Sequence, residues 1–178
     1  MALKATIFKT TLQIADMDRH YYHDHDFTIA RHPSETDERM MVRLLAFALN
    51  ADERLTFTRG ISSEDEPDIW QKNLSGDIDL WIDLGQPDEK RIRKACARAD
   101  RVIIYCFNDR SAPLWWQQIR GKLNRFGNLS VISLQGDATG SLAAMVERHM
   151  QLQYSIQDGE VWVSNGSDSI EIEVTQWM

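Results

Sequence analysis

The chain has 178 residues, of which 43% are hydrophobic, and its 20 Lys and Arg against 27 Asp and Glu leave a net charge of −7. This length predicts one domain spanning residues 1–178, with enough chain to bury a core without disulfides or structural metals. The acidic balance excludes a uniformly basic nucleic-acid coat, and no run approaches the ~18 consecutive apolar residues of a membrane span.

The N-terminal part of the chain predicts a β-hairpin followed by a helix. Apolar and polar residues alternate over 5–15 and again over 21–31, which predicts two antiparallel strands joined by a turn at 16–18. Ser34 resembles an N-cap, and the apolar residues after it recur at helical spacing as far as Asn50. We therefore expect a helix that begins at Ser34.

The middle of the chain predicts strands that alternate with helices. We first expect a short strand at 55–58, an acidic loop at 62–67 and a turn of helix around Trp70. The strands that follow are predicted over 77–84, 102–107 and 129–134. The helices between and after them are predicted to begin at Pro87, Pro113 and Ser141, the last running to His149. This order predicts α/β layering with some parallel pairing.

The C-terminal tail predicts a three-stranded antiparallel meander over 152–174. Asp158-Gly159 and Asn165-Gly166 are strong hairpin signals because these residue types tolerate a positive φ. The meander would either extend the main sheet or pack as a lid.

Cysteine usage and the N-terminus predict a cytoplasmic protein. Cys96 falls in a helical pattern and Cys106 in an apolar run, which favours two buried thiols over a disulfide. The first fifteen residues carry Lys4 and Lys9 in an alternating pattern, where a secretion signal would have an apolar core.

The predicted strand 77–84 carries the densest cluster of side chains that could bind a metal ion or take part in catalysis. Asp77, Asp79 and Asp83 share one face of this strand and apolar residues share the other. Burial of this face is costly unless the carboxylates bind a cation or a partner, and oxygen ligands suit Mg²⁺ or Mn²⁺. A solvated edge strand explains the same pattern.

Motifs along essentially the whole chain resemble those of the YaeQ family. They are Arg31-His-Pro-Ser-Glu-Thr-Asp-Glu-Arg-Met-Met, Leu55-Thr-Phe-Thr-Arg-Gly, Asp65-Glu-Pro, Trp81-Ile-Asp-Leu-Gly-Gln-Pro-Asp-Glu and Trp115-Trp116. The resemblance implies a mixed-sheet α/β (α+β) fold with a restriction-endonuclease-like core, similar to the PD-(D/E)XK nucleases. The N-terminal β-hairpin and the C-terminal antiparallel β-meander would flank that core. In such nucleases an acid on one strand and an acid-x-lysine on the next hold Mg²⁺ against the scissile phosphate.

Carried onto this sequence, the resemblance makes Asp83 the acid and puts Gly85 where the lysine should stand. Asp79 is the natural second acid, but four residues of a regular strand span about 13 Å, too far for both to chelate one ion directly. The second metal ligand would then be Glu38, which points to the core side of the first helix, or Glu35, one turn earlier and rotated outward.

Cations on the helix after this strand are expected to replace the missing lysine. Lys94 and Lys90 are the residues we expect to assist an attacking water. The predicted nucleic-acid contacts are Arg91, Arg98, Arg120 and Lys122. A solvated charged face is the alternative for these cations, and core packing is the alternative to base stacking for Trp115 and Trp116.

Two functions follow from this sequence. The first is a nuclease or phosphodiesterase that depends on Mg²⁺ or Mn²⁺. The second is a non-catalytic derivative that binds nucleic acid or protein, which the missing lysine and the negative net charge favour. Weaker alternatives are strand addition to the C-terminal meander and a zinc or nickel site at His23 and His25, for which the spacing offers no third ligand. The oligomeric state stays open.

Overall fold

A computed structural model describes residues 3–59 and 63–178, and within them the chain has a mixed α+β fold with two mixed sheets and four helices. The helices are α1 (Asp37–Leu49), α2 (Glu89–Arg98), α3 (Ser111–Leu123) and α4 (Gly136–Ala143). The strands are β1 (Thr6–Asp16), β2 (Tyr21–Arg31), β3 (Leu55–Phe57), β4 (Ile69–Lys72), β5 (Ile78–Leu84), β6 (Ala99–Cys106), β7 (Leu129–Leu134), β8 (His149–Gln157), β9 (Glu160–Ser164), β10 (Ser169–Ile172) and β11 (Val174–Gln176). None of the helices in these ranges is long and apolar enough to span a membrane.

The chain divides into two compact units. The first unit comprises Met1–Ala51 and Asp137–Val174, and the second comprises Asp52–Gly136 and Thr175–Met178. That the two fold as the single predicted domain stays a prediction.

The first unit holds a five-stranded sheet in the order β10-β9-β8-β1-β2. The predicted hairpin is confirmed, since β1 and β2 pair antiparallel from Thr6 opposite Arg31 to Asp16 opposite Tyr21. The predicted meander is confirmed as well, because β8, β9 and β10 pair antiparallel in sequence. It extends the sheet of the hairpin, because β8 pairs parallel with β1.

The N-cap of helix α1 lies two residues later than predicted. The side chain of Thr36 accepts a hydrogen bond from the backbone N–H of Arg39 at 3.1 Å, so Thr36 is the N-cap. Ser34 is not the cap, because its hydroxyl pairs with Nδ1 of His32 at 2.6 Å. Every residue of α1 from Met40 to Ala48 is buried, so packing stabilises this helix all round.

The second unit is built on strands β3 to β7 of a six-stranded sheet in the order β11-β7-β6-β5-β4-β3. The predicted parallel pairing is confirmed for β5 with β6 and for β6 with β7. The helical turn expected around Trp70 is wrong. Trp70 lies in β4, opposite Trp81 of β5, because pairing with the neighbouring strands satisfies its backbone groups.

Helices α2 and α4 begin at other residues than predicted. A local cap sets the start of α2, and a contact distant in sequence sets the start of α4. Asp88 caps α2 by accepting a hydrogen bond from the backbone N–H of Arg91 at 2.8 Å, so Pro87 precedes the cap. The helix predicted over 141–149 is misplaced, because α4 begins at Gly136, whose N–H donates to the carboxylate of Asp109 at 2.9 Å. A Cβ at position 136 would lie 2.8 Å from that carboxylate carbon, so a larger residue here would displace the side chain of Asp109.

One face of the sheet in the second unit packs against α2 and α3. The buried residues shared by this core include Trp81, Ile92, Ile104, Ile119 and Val131. Both cysteines are free thiols, with Cys106 buried and Cys96 half-buried, as the sequence predicts.

The adjacent tryptophans of α3 make contacts typical of core packing. The indole N–H of Trp115 donates to the carbonyl of Pro87 at 2.8 Å. Trp116 stacks on Trp177 with 5.7 Å between ring centroids. Both rings are packed against the core of the second unit, which favours the structural alternative over base stacking.

Candidate functional site

Two buried aspartates lie close together where β4 begins and β5 ends. Asp68 directly precedes Ile69, which pairs with Ile82 of β5. The N–H of Asp68 donates to the carbonyl of Ile82 at 3.1 Å. The N–H of Leu84 in turn donates to Oδ2 of Asp68 at 3.0 Å. Both residues are almost fully buried, at 3% and 2% exposed.

Arg91 of α2 makes a two-pronged ion pair with Asp83. Its Nε lies 2.8 Å from Oδ2 and its Nη2 lies 2.9 Å from Oδ1. The N-cap Asp88 fixes the first turn of α2 and so aims the guanidinium at β5. Bidentate pairs of this kind are among the strongest hydrogen-bonded contacts in proteins.

The electrostatic balance at Asp83 favours additional positive charge. Burial raises the pKa of Asp83, and the hydrogen bonds from Arg91 only partly oppose this rise. The neighbouring charge of Asp68 raises the pKa of Asp83 further. A carboxylate held in such surroundings gains from a cation.

A buried donor lies beside the aspartates. Trp81 stands two residues before Asp83 on β5 and is 1% exposed. Its indole Nε1 makes no hydrogen bond of ordinary geometry within the described part of the chain, although it is near enough to Asp83 to oppose the rise in the pKa of that carboxyl. The carboxylate of Asp83 is therefore the acceptor nearest to this buried N–H.

Arg91 also holds the stretch of chain that precedes Asp68. We refer to residues 64–66 as the acidic segment. Nη1 of Arg91 donates to the carbonyl of Glu64 at 3.1 Å, and Nη2 donates to the carbonyl of Glu66 at 3.0 Å. One guanidinium therefore binds both the buried carboxylate and the backbone of the acidic segment.

Two further cations of α2 bind the middle of the acidic segment. Nζ of Lys94 lies 2.6 Å from Oδ1 of Asp65, and this hydrogen bond lowers the pKa of Asp65. Nη1 of Arg98 donates to the carbonyl of Asp65 at 2.6 Å, and its guanidinium lies 5.1 Å from the ring centroid of Trp81. Arg91, Lys94 and Arg98 therefore all bind oxygen atoms of this chain.

An open pocket of about 410 Å³ adjoins the acidic segment. Its lining residues are Glu64, Asp88, Lys90, Arg91 and Lys94. Lys90 is exposed here, so both lysines that the sequence nominates for catalysis border the same pocket. The pocket has the size and the cationic lining to admit a phosphate group.

Asp79, the expected second acid, is not brought to Asp83. Strand β5 runs unbroken from Ile78 to Leu84, so the two carboxylates stay about 13 Å apart along it. Asp79 is partly exposed and pairs with Arg54, whose Nη1 lies 3.4 Å from Oδ2. The carboxylate that lies near Asp83 is Asp68, which the sequence analysis did not single out.

The two glutamates proposed as metal ligands belong to the first unit and have partners there. Glu35 accepts from Nη1 of Arg39 at 2.8 Å and from Nη2 of Arg43 at 2.7 Å. Its side chain is 3% exposed, so the outward orientation expected for it is wrong. Glu38 accepts from Oγ1 of Thr139 at 2.6 Å.

The remaining predicted residues lie elsewhere. Arg120 and Lys122 are exposed in the last turn of α3. Nε2 of His25 lies 2.6 Å from the hydroxyl of Tyr21, and burial, then the nearby His23, lowers the pKa of His25. Across residues 3–59 and 63–178, no group of three or more His, Cys, Asp and Glu side chains could hold a metal ion.

The pair Asp68 and Asp83 nevertheless fits one class of ion. Mg²⁺ is commonly held by one or two carboxylates and completes its shell with waters and substrate phosphates. Two buried carboxylates match the protein part of that donor set, and Arg91, which pairs with Asp83, also lines the open pocket. A zinc-type cage of three or four protein ligands is not formed by the described residues.

Comparisons with known proteins converge on one family. The family model described as YaeQ protein matches residues 1–174. The chain is 51% identical over 177 residues to a Salmonella typhi protein named "Uncharacterized protein YaeQ", covering 99% of this chain and 98% of the relative. The protein of the same name from Escherichia coli (strain K12) is 50% identical over 177 residues, with the same coverage.

Two crystal structures are similar along nearly the full length. The YaeQ protein from Xanthomonas axonopodis pv. citri has a TM-score of 0.94 and 48% identity, covering 98% of each chain. The YaeQ protein from Pseudomonas syringae has a TM-score of 0.94 and 33% identity, covering 98% of this chain and 96% of the other.

Proposed function

The chain belongs to the YaeQ family, and we propose that it is a nuclease or phosphodiesterase that binds Mg²⁺ or Mn²⁺ at Asp68 and Asp83. The observation that carries this proposal is the proximity of two buried carboxylates: Asp68 accepts a hydrogen bond from the N–H of Leu84, the neighbour of Asp83, and its charge acts on Asp83.

The arrangement resembles the acidic pair of a restriction-endonuclease-like core. The first acid follows a proline, as Asp68 follows Pro67, and the second acid stands on the next strand, as Asp83 does on β5. The parallel partner β6 and the crossover helix α2 then follow in chain order. We propose on this ground that the second unit contains such a core.

Residues of this chain can be given roles in phosphodiester cleavage. Asp68 and Asp83 would hold the ion, which when bound stabilises negative charge and lowers the pKa of a water. Lys90 and Lys94 border the adjoining pocket, where their charges would orient a phosphate.

A non-catalytic nucleic-acid-binding protein is the second candidate, and Gly85 favours it. Position 85 is where the nuclease pattern has its lysine, and here its φ is 93°. A lysine would be strained in this left-handed conformation, so the backbone as well as the side chain departs from the catalytic pattern. A protein partner in place of nucleic acid belongs to the same candidate.

The test is cleavage of end-labelled single- and double-stranded DNA and RNA in Mg²⁺, in Mn²⁺ and in EDTA. We expect cleavage that requires the ion and falls at least ~100-fold in Asp68→Asn and in Asp83→Asn. Asp79→Asn is the matched control, because Asp79 lies on the same strand but pairs with Arg54. Retained cleavage in the first two variants would refute this site.

Binding without cleavage would support the second candidate. Its affinity for nucleic acid should then weaken steeply with salt concentration, because phosphate contacts release counterions. A protein partner held through an apolar interface would show little dependence on salt.

A further inference from the structure

Arg91 occupies the position at Asp83 where an added cation would be most stabilising. Resting on the function proposed above, we infer that metal and phosphate bind this site cooperatively, with Arg91 passing from Asp83 to the phosphate when both arrive. The inference concerns Arg91 as a positioning residue whose partner depends on the ligand present.

The first step is the competition between Arg91 and a metal ion for one carboxylate. Both oxygens of Asp83 accept from Arg91, at 2.8 and 2.9 Å. A cation that binds Asp83 must share or displace this charge-assisted pair. Metal alone is therefore expected to bind weakly.

The second step is the release of Arg91. The side chain of Arg91 is 29% exposed, whereas that of Asp83 is 3% exposed, so the guanidinium is the partner that a ligand can reach. Its other N–H groups donate to the backbone carbonyls of Glu64 and Glu66. Phosphate oxygens are charged and match the guanidinium fork in geometry, so a phosphate in the adjoining pocket is a better acceptor than two carbonyls.

The third step is what phosphate supplies to the ion. Two carboxylates leave most of the coordination shell of Mg²⁺ to water and phosphate oxygens. A phosphate therefore completes the coordination shell of the ion and accepts the hydrogen bonds of Arg91. Each ligand then raises the affinity of the other by the same factor, which for coupled sites is typically 5- to 150-fold.

The experiment measures Mn²⁺ binding through the electron paramagnetic resonance signal of the free ion, with and without thymidine 5′-monophosphate. In the unmodified protein we expect the nucleotide to raise Mn²⁺ affinity about tenfold. In Arg91→Gln we expect Mn²⁺ alone to bind about tenfold more tightly than in the unmodified protein, with little added effect of the nucleotide. Arg93→Gln is the matched control, because Arg93 is exposed on the same helix and pairs with Glu89.

If Arg91→Gln does not fold, Arg91→Lys tests the same inference. Arg91→Lys keeps the charge but loses the two-pronged bond, so Mn²⁺ affinity should rise by a smaller factor and the nucleotide effect should shrink. Circular dichroism checks the fold of each variant.

The outcomes separate this inference from the function on which it rests. Mn²⁺ binding that Asp83→Asn abolishes, but that neither the nucleotide nor Arg91→Gln changes, would overturn the coupling and leave the metal site standing. Mn²⁺ binding unaffected by Asp68→Asn and Asp83→Asn, or absent in every variant with and without nucleotide, would overturn both.

Discussion

Replacement of Glu35 by alanine is expected to destabilise the protein by about 3 kcal/mol. Glu35 accepts hydrogen bonds from Arg39 at 2.8 Å and from Arg43 at 2.7 Å, so one carboxylate forms ion pairs with two guanidinium groups. The side chains of Glu35 and Arg43 are 3% and 9% exposed. Removal of the carboxylate takes one negative charge away from two arginines, of which Arg43 is buried.

The magnitude follows from the burial of each partner. Breaking a buried ion pair by removing one member costs about 3–5 kcal/mol. Arg39 is 19% exposed and can regain water, and Arg43 keeps its hydrogen bond to the carbonyl of Ala30 at 3.0 Å. Both features favour the lower end of the range, which corresponds to a fall in Tm of roughly 6–12 °C for a chain of this size.

Urea and thermal unfolding followed by circular dichroism measure this change. Glu38→Ala is the control, because Glu38 is half-buried and accepts one hydrogen bond, from the hydroxyl of Thr139, the loss of which should cost about 1.5 kcal/mol. A loss below about 1 kcal/mol in Glu35→Ala would refute the reasoning. So would a Tm that Mn²⁺ raises in the unmodified protein but not in Glu35→Ala, since Glu35 would then be a metal ligand.

Three further predictions follow from particular contacts. Thr36→Ala should cost about 1 kcal/mol in urea unfolding while Ser34→Ala changes stability far less, and equal effects would contradict the assignment of the N-cap. Burial raises the pKa of Cys96 and of Cys106 to about 11, so iodoacetamide at about pH 8 should label both slowly by mass spectrometry; rapid complete labelling of the folded protein would count against this. Because the pKa of Asp83 is raised, protons compete with Mn²⁺ at higher pH than at an exposed aspartate, and affinity should fall as pH is lowered from about 7 to about 5; a constant affinity over that interval would be inconsistent with an Asp83 ligand.

The site was predictable in part. The alternation of apolar and acidic residues in the strand pointed to Asp83, and the density of Lys and Arg in the following helix pointed to the cations of α2. Asp68 was missed because its importance depends on its pairing with a residue fifteen positions later. The partner of Asp83 was likewise not readable from spacing, since Arg91, Lys90 and Lys94 stand on neighbouring turns and only the start of α2 decides which of them reaches β5.

By itself, the sequence determined the elements whose signals are local. The alternation in β1 and β2, the Asp158-Gly159 turn and the family motifs all act within a few residues, because side-chain periodicity and backbone conformation are set by near neighbours. The tertiary structure alone decided that Trp70 lies in a strand and that Asp68 lies near Asp83. Strand register and ion pairs join residues distant in the chain, and their free energy exists only once those residues are brought together.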